Sequence, residues 1–297
     1  MTTFNGEKYL EAQIESLSQQ QDVVVRVWVN DDGSEDSTVA ILTKWKDRGL
    51  IKGISETPRI GSTRAFLKLL SEHADSDFVA FCDQDDIWES NKLQLQIQIC
   101  DSSEPTLVFS DRRYIDLNGL KIGESRKLTS PPSLGNALVE NVAPANTILL
   151  NRAAIDLVNS IKEPEISHYD SWIYLLIAAL GDCKYISMCL VNYRIHEGNL
   201  VGLRKLSFRR IAQSVSSFVQ QADYLFANLE ALQNTELKIS LEKFLGAISE
   251  PRLIRRAQQV YRLQIKRQSK VDQLIFKLGL ILYPIVNSKG LLSNPNS

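Results

Sequence analysis

Through roughly its first 110 residues the chain alternates short β-branched or aromatic runs with stretches of helical period, and this alternation restricts the fold more than any other feature. Val23-Val24-Val25-Arg26-Val27-Trp28-Val29 predicts a strand that ends in the turn signal Asn30-Asp31-Asp32-Gly33. Ser34 or Asp36 can cap a helix running to about Lys46. Leu50 to Ser55 predicts a short strand, Gly61 to Glu72 a helix and Phe78 to Cys82 a strand; after another helix comes the strand Thr106-Leu107-Val108-Phe109. Strands separated by crossover helices imply an α/β architecture, doubly wound around a mostly parallel sheet. In such sheets ligands collect outside the carboxyl ends of the strands.

Two acidic clusters fall at such ends. One is Asp31-Asp32; the other is Asp83-Gln84-Asp85-Asp86, directly after the apolar run Phe78-Val79-Ala80-Phe81. Carboxylates crowded at a strand end repel one another unless a cation shares them. Mg²⁺ or Mn²⁺ takes oxygen ligands, usually one or two carboxylates plus substrate phosphates. The cluster therefore predicts a metal-held diphosphate, and with it a nucleotide substrate. The plainer alternative is an acidic turn in which Asp86 caps a helix starting near Trp88.

Charge is uneven along the chain. From Val201 onward there are 15 Lys and Arg against 6 Asp and Glu, whereas residues 1–200 carry 19 basic and 29 acidic groups. An acidic body joined to a basic tail is the expectation, with the boundary at residues 202/203. The tail is rich in helical patterns and in basic pairs: Arg204-Lys205, Arg209-Arg210, Arg255-Arg256 and Lys266-Arg267. Leu274 to Tyr283 is strongly apolar, a length suited to a helix packed on the body or lying in a membrane interface. With the basic residues it suggests peripheral contact with anionic lipid. Cys82, Cys100, Cys183 and Cys189 form no CxxC and no zinc-like spacing with the histidines. A reduced, cytoplasmic setting is expected, peripheral on the inner face of the membrane, with no nucleic-acid partner. Residues 1–20 show no secretory leader.

Further along, Asp116-Leu117-Asn118-Gly119 predicts a hairpin turn and Asn146 to Leu150 a strand. Ile166 to Leu180 joins a polar start, Ser167-His168-Tyr169-Asp170-Ser171, to an apolar helix, and a strand over 184–191 leads into Tyr193-Arg194-Ile195-His196-Glu197-Gly198-Asn199. Taken in order, Met1-Thr2-Thr3-Phe4-Asn5-Gly6-Glu7-Lys8-Tyr9-Leu10, Asn30-Asp31-Asp32-Gly33-Ser34, Asp83-Gln84-Asp85-Asp86-Ile87-Trp88, Tyr169-Asp170-Ser171-Trp172 and Tyr193 to Asn199 resemble glycosyltransferase family 2, in its bacterial rhamnosyltransferase-type variant. The resemblance covers residues 1–202.

The resemblance implies a GT-A fold that moves a sugar from a dTDP- or UDP-sugar donor to a glycan or lipid-linked acceptor hydroxyl, with inversion at the anomeric carbon, in surface polysaccharide synthesis. Carried over by position, Thr2, Phe4 and Glu7 line the nucleotide pocket, Asp32 accepts from the base and Arg64 lies near the nucleotide. Asp83 faces the ribose, Asp85 and His196 hold the metal, and Asp170 is the general base. Read as a residue alone, Asp170 is a helix N-cap. Trp172 could touch the acceptor sugar, although a tryptophan there is more often core.

Two positions depart from the family pattern. The apolar strand that usually precedes Thr2-Thr3-Phe4-Asn5 is absent, which predicts a natural start upstream of Met1 or a truncated product; intact mass decides. Ala145 stands where relatives often have glycine. Two other readings are a sugar-phosphate nucleotidyltransferase and a non-catalytic nucleotide-binding remnant. The first calls for a glycine-rich basic loop near the N-terminus, and Phe4 to Leu17 holds one glycine and one lysine.

Overall fold

The computed structural model describes residues 1–73, 75–101, 103–161, 168–196, 208–228 and 235–288. Glu197 to Asn199 of the last motif, the 202/203 boundary and the Arg204-Lys205 pair lie outside the described residues. The described chain falls into two compact units: residues 1–128, 143–161 and 168–196 form the first, and 129–142, 208–228 and 235–288 the second.

In the first unit a three-stranded parallel sheet takes the order β1 (Thr2–Thr3), β2 (Val27–Asp31), β3 (Ile51–Glu56). Helices α1 (Glu7–Ser18) and α2 (Thr38–Asp47) make the crossovers. Leu10, Ile14 and Leu17 from α1 meet Val27, Val29, Leu42 and Ile51 in one core cluster. Spacing of three and four residues puts the α1 set on one helical face, which is why burying it selects this helix. The ladder continues through Met1, whose amine donates to Trp28 O (2.8 Å) and whose carbonyl accepts from Asn30 N (3.0 Å). The predicted strand over 23–29 begins later than expected, at Val27; Val24 is exposed, since no neighbouring strand covers it.

The second sheet, of six strands, is mixed. Its path is β4 (Phe78–Ala80), β8 (Leu149–Asn151), β6 (Thr106–Ile115), β9 (Asp182–Arg194), β5 (Ile87–Trp88), with β7 (Lys121–Glu124) paired to β6. Parallel pairing here is confined to β6–β9; the other pairs run antiparallel. The predicted hairpin turn closes β6 onto β7, with Asp116 Oδ1 accepting from Asn118 N and Leu120 N. Helices α3 (Ser62–Glu72), α4 (Lys92–Ile99), α6 (Arg152–Ser160) and α7 (Tyr169–Leu180) complete the unit. Helix α7 is apolar all round and buries Trp172 through Ile177. Gly181 ends it where a side chain has no room: a Cβ there would lie 2.1 Å from Pro105 O.

The second unit is helical: α5 (Leu134–Ala137), α8 (Phe208–Asn228), α9 (Thr235–Ser249), α10 (Leu253–Arg262) and α11 (Lys270–Ser288). Val215, Leu225, Leu241, Phe244, Val260 and Leu280 are fully or almost fully buried in it. Arg256 is buried but satisfied, donating to the carbonyls of Glu250 and Ile281. Among the described residues no helix is long and apolar enough to cross a membrane.

Candidate functional site

The two aspartates ending β2 take different tasks. Asp31 is buried and accepts from Ser34 N (2.8 Å), Ser34 Oγ (2.7 Å) and Thr3 Oγ1 (2.6 Å). It thereby closes the turn at Gly33, whose φ of +84° suits glycine. Asp32 is half-buried and clamps the loop entering α3, accepting from Ile60 N (2.7 Å), Gly61 N (2.9 Å) and Thr57 Oγ1 (3.3 Å). A carboxylate offers about four lone-pair directions, so one remains for a ligand. Arg64 stands on the first turn of α3, the helix this clamp fixes.

At the end of β1, Phe4 is held by Gln84. Phe4 N donates to Gln84 Oε1 (2.8 Å), and Gln84 Nε2 returns a bond to Phe4 O (3.0 Å). This reciprocal pair ties the first sheet to the acidic segment after β4. The Arg59 guanidinium lies 4.0 Å from the Phe4 ring centroid. Thr2 is half-buried on β1, opposite Asn30. Glu7 is exposed, and its carboxylate accepts from Ser37 N (2.9 Å), so what it does in this fold is join the N-terminal ends of α1 and α2.

The acidic segment separates its three carboxylates. Asp86 is fully buried, accepting from Asn146 Nδ2 and from Arg194 N (3.3 Å). It caps no helix: α4 starts at Lys92, with Asn91 at its N-cap, so the acidic-turn alternative is corrected. Burial, then the charges of Asp83 and Asp85, push its carboxyl well above the usual range. Asp83 is pushed up to about 7, first by burial and then by Asp85 and Asp170. Asp85 Oδ2 lies 2.7 Å from His196 Nε2. The His196 ring packs 5.4 Å from that of Tyr9, and Arg194 crosses the same tyrosine at 4.6 Å. Arg194 also donates from Nε to Asp85 O (3.1 Å) and from Nη1 to the carbonyls of Asp116 and Leu117, which fixes the backbone on both sides of the cluster.

Asp170 comes from the far side. It sits in the first turn of α7, where a negative charge is favoured. His168, not Asp170, is the N-cap residue, so the N-cap reading of Asp170 is corrected. Its carboxylate accepts from Ser171 N (2.8 Å) and from Ala145 N (3.3 Å). Tyr169 anchors this turn by stacking on Phe66 (4.8 Å) and meeting the edge of Phe81 (5.2 Å), two residues before Asp83. The short 3₁₀ turn Ala145–Thr147 thus positions two carboxylates, Asp170 through Ala145 N and Asp86 through Asn146. The alanine that replaces the expected glycine uses only its backbone here. Trp172 is fully buried in the core, which removes it as an acceptor contact.

The chemistry of this donor set suits a divalent cation. Asp85 and His196 offer an oxygen and a nitrogen 2.7 Å apart, beside an Asp83 that cannot easily ionise next to other carboxylates. Among the described residues no group of three or more His, Cys, Asp or Glu could hold a metal by itself. An ion here would leave positions for phosphate oxygens and water, as Mg²⁺ and Mn²⁺ sites commonly do. The sequence reading passed over Gln84, Arg59, Tyr9 and Asn146. Gln84 and Tyr9 lay inside the quoted motifs and Asn146 at the start of a predicted strand, each without a role of its own, while Arg59 carries no local signal.

Residues 1–151 match the family described as Glycosyl transferase family 2. The dTDP-rhamnosyl transferase RfbG of Shigella flexneri is 30% identical over 226 residues, covering 70% of this chain and 75% of that protein. The UDP-Glc:alpha-D-GlcNAc-diphosphoundecaprenol beta-1,3-glucosyltransferase WfgD of Escherichia coli is 25% identical over 224 residues, 74% of this chain and 85% of that one. Among solved structures, S. aureus TarS 1–349 in complex with UDP-GlcNAc aligns with a TM-score of 0.59 at 17% identity, covering 97% of this chain and 90% of that one. The mannosyltransferase PcManGT of Pyrobaculum calidifontis, in complex with GDP-Man and Mn²⁺, aligns at 0.52 and 14% identity, covering 97% and 85%. At these identities the structural likeness bears on the fold alone.

Proposed function

The chain belongs to glycosyl transferase family 2 and has the GT-A fold, and from that membership we propose that it transfers a sugar from a dTDP- or UDP-sugar to an acceptor hydroxyl on a lipid-linked glycan, in surface polysaccharide synthesis. Rhamnose is the donor sugar we favour, because RfbG is named for dTDP-rhamnose transfer. The observation that carries the proposal is the convergence of two separate parts of the fold, the Asp83–Asp85 segment after β4 and Asp170 at the start of α7, close enough for Asp85 and Asp170 both to act on Asp83.

The reaction is one displacement. Asp170 takes the proton of the acceptor hydroxyl as its oxygen bonds to the anomeric carbon, and the bond from that carbon to the donor diphosphate breaks. Ala145 N and Ser171 N hold the Asp170 carboxylate in place. Asp85 and His196 would hold Mn²⁺ or Mg²⁺, which when bound would stabilise charge on the leaving diphosphate. Phe4, Asp32, Arg64 and Asp83 line the donor side, with Thr2 behind them; Glu7 fixes the helix that follows. The first unit is the transferase domain, and the basic tail belongs with residues 129–142 to the second.

The tail meets the cytoplasmic face of an anionic membrane. What supports this is exposed apolar surface on α10 and α11 (Ile254, Tyr261, Val271, Leu274, Leu278) beside exposed Arg252, Arg255, Arg262, Lys266 and Lys270. Each such charge near an anionic surface contributes about 1 kcal/mol.

The test is a donor panel with released nucleoside diphosphate as readout, run with Mn²⁺ and a thermal-shift arm. Donor at 100 times Kd should stabilise the protein by about 2.7 kcal/mol. Asp170→Asn should abolish transfer and keep that shift, whereas Asp85→Asn should weaken the shift itself. If Asp170→Asn turns over like the parent, the base assignment is wrong.

A further inference from the structure

Beside the carboxylates lies a cation that the fold leaves unneutralised. Arg112 and Arg113 are neighbours on β6, and their situations contrast. Arg113 Nη1 donates to Glu89 Oε1 and to Asn192 Oδ1, both at 2.6 Å. The Arg112 guanidinium makes no ion pair and no hydrogen bond among the described residues, and its Nε is buried without an acceptor. Its backbone N–H donates to Ser125 Oγ and its carbonyl accepts from Ser125 N. The guanidinium rests on aromatic faces, 4.7 Å from the Tyr193 ring centroid and 5.9 Å from that of Tyr114. Those two rings meet edge to face at 6.2 Å, and Tyr114 is the register partner of Tyr193. The charge is near enough to Asp83 to act on it.

An arginine that stays unpaired this close to several carboxylates is being kept for something else. A buried donor left unsatisfied carries a desolvation cost that a ligand can relieve. The planar fork matches phosphate bidentately, and stacking on tyrosines fixes its plane beforehand. The adjoining half-buried aromatic faces suit a sugar ring. We propose that Arg112, with Tyr114 and Tyr193, forms a subsite for a substrate phosphate attached to a sugar, such as the phosphorylated end of the acceptor. This rests on the transferase reading. WfgD is named for an acceptor of this kind, a GlcNAc-diphospholipid. The donor diphosphate is the other source of the same chemistry.

Binding assays on the full chain separate the sources. N-acetylglucosamine 1-phosphate, with methyl α-N-acetylglucosaminide as neutral control, is titrated into protein saturated with Mn²⁺ and UDP or dTDP. In the acceptor arm, Arg112→Gln weakens the sugar phosphate at least tenfold and leaves nucleotide affinity unchanged. In the donor arm it weakens UDP or dTDP at least tenfold instead. Arg112→Lys, which keeps the charge and loses the fork, falls between. If Arg112→Gln melts like the parent and changes neither ligand by more than twofold, or if the neutral glycoside binds as well as the phosphate, the subsite is refuted. Parent protein that binds sugar phosphate through Arg112 but turns over no donor would sink the transferase reading and leave this one standing.

Discussion

Lys92 offers a quantitative check on how the site is supported. It is fully buried at the start of α4, its Nζ donating to Gln96 Oε1 (2.8 Å) and lying 3.8 Å from the Trp88 ring centroid. Gln96 in turn donates to Thr147 O (2.7 Å) and Val108 O (3.2 Å), so the pair stands directly behind the turn that holds Asp86 and Asp170. Burial lowers the lysine from 10.5 to about 7. A shift of that size represents roughly 4–5 kcal/mol. Between pH 7 and 10.5 the unfolded chain therefore binds more protons than the folded one, and stability rises with pH across that window.

Lys92→Met keeps the volume and removes the titration. At pH 7 the parent carries a penalty of about 4 kcal/mol from this lysine, and at pH 9 about 2 kcal/mol. The substitution also strips Gln96 Oε1 of its donor, which costs about 1–3 kcal/mol at either pH. The variant should therefore be more stable than the parent at pH 7, and its advantage should shrink by about 2 kcal/mol on going to pH 9. Cys82, the nearby thiol, is pushed up to about 12 by burial and stays neutral throughout. Urea unfolding followed by tryptophan fluorescence reads the right unit, because Trp28, Trp45, Trp88 and Trp172 all lie in the first one. A stability gap that is flat between pH 7 and 9 would mean the folded lysine keeps its proton, and the burial reasoning would be wrong.

Two further substitutions probe the scaffold. Gly181→Ala places a Cβ 2.1 Å from Pro105 O and should destabilise the first unit by about 1–3 kcal/mol, read as a lower urea midpoint; an unchanged midpoint would show that β9 can shift away from Pro105. Asn146→Ala removes the side-chain donor from buried Asp86 and should cost about 1–3 kcal/mol of stability as well as much of the donor turnover. Full turnover in that variant would separate the Ala145–Thr147 turn from catalysis.

Much of the first unit was legible because its signals are local. The helical signals of α2 and α3 and the turn residues at Asp31 to Gly33 sit within a few residues of the structure they specify. The mixed character of the second sheet was not legible. Whether β8 joins β4 parallel or antiparallel depends on where a chain 70 residues later returns, and no short pattern encodes that. The β6 and β9 runs were read as shorter strands than they are; β6 extends through polar Ser110 to Arg113, which pair along β9 and β7 and need no apolar face to be strand.

The acidic segment shows where sequence reading stops and why. Asp83, Asp85 and Asp86 are chemically identical and nearly adjacent, yet they end in three different situations. Their partners decide this, and the partners are distant: Asn146 is 60 residues and Arg194 108 residues from Asp86, and His196 is 111 from Asp85. Asp86 is held by donors and buried, so it acts as the post on which the segment is fixed. Asp85 faces the His196 imidazole, with which it forms the proposed metal site. Asp83 is buried and crowded by both Asp85 and Asp170, so a cation beside it would favour its charged form. A motif can show that carboxylates are concentrated at a strand end, but which of them anchors and which reacts is set by the return of β9 and the Ala145–Thr147 turn. The same return of β9 brings Tyr193 to Arg112 and His196 to Asp85, so the proposed metal site and the proposed phosphate subsite both depend on one long strand reaching its register.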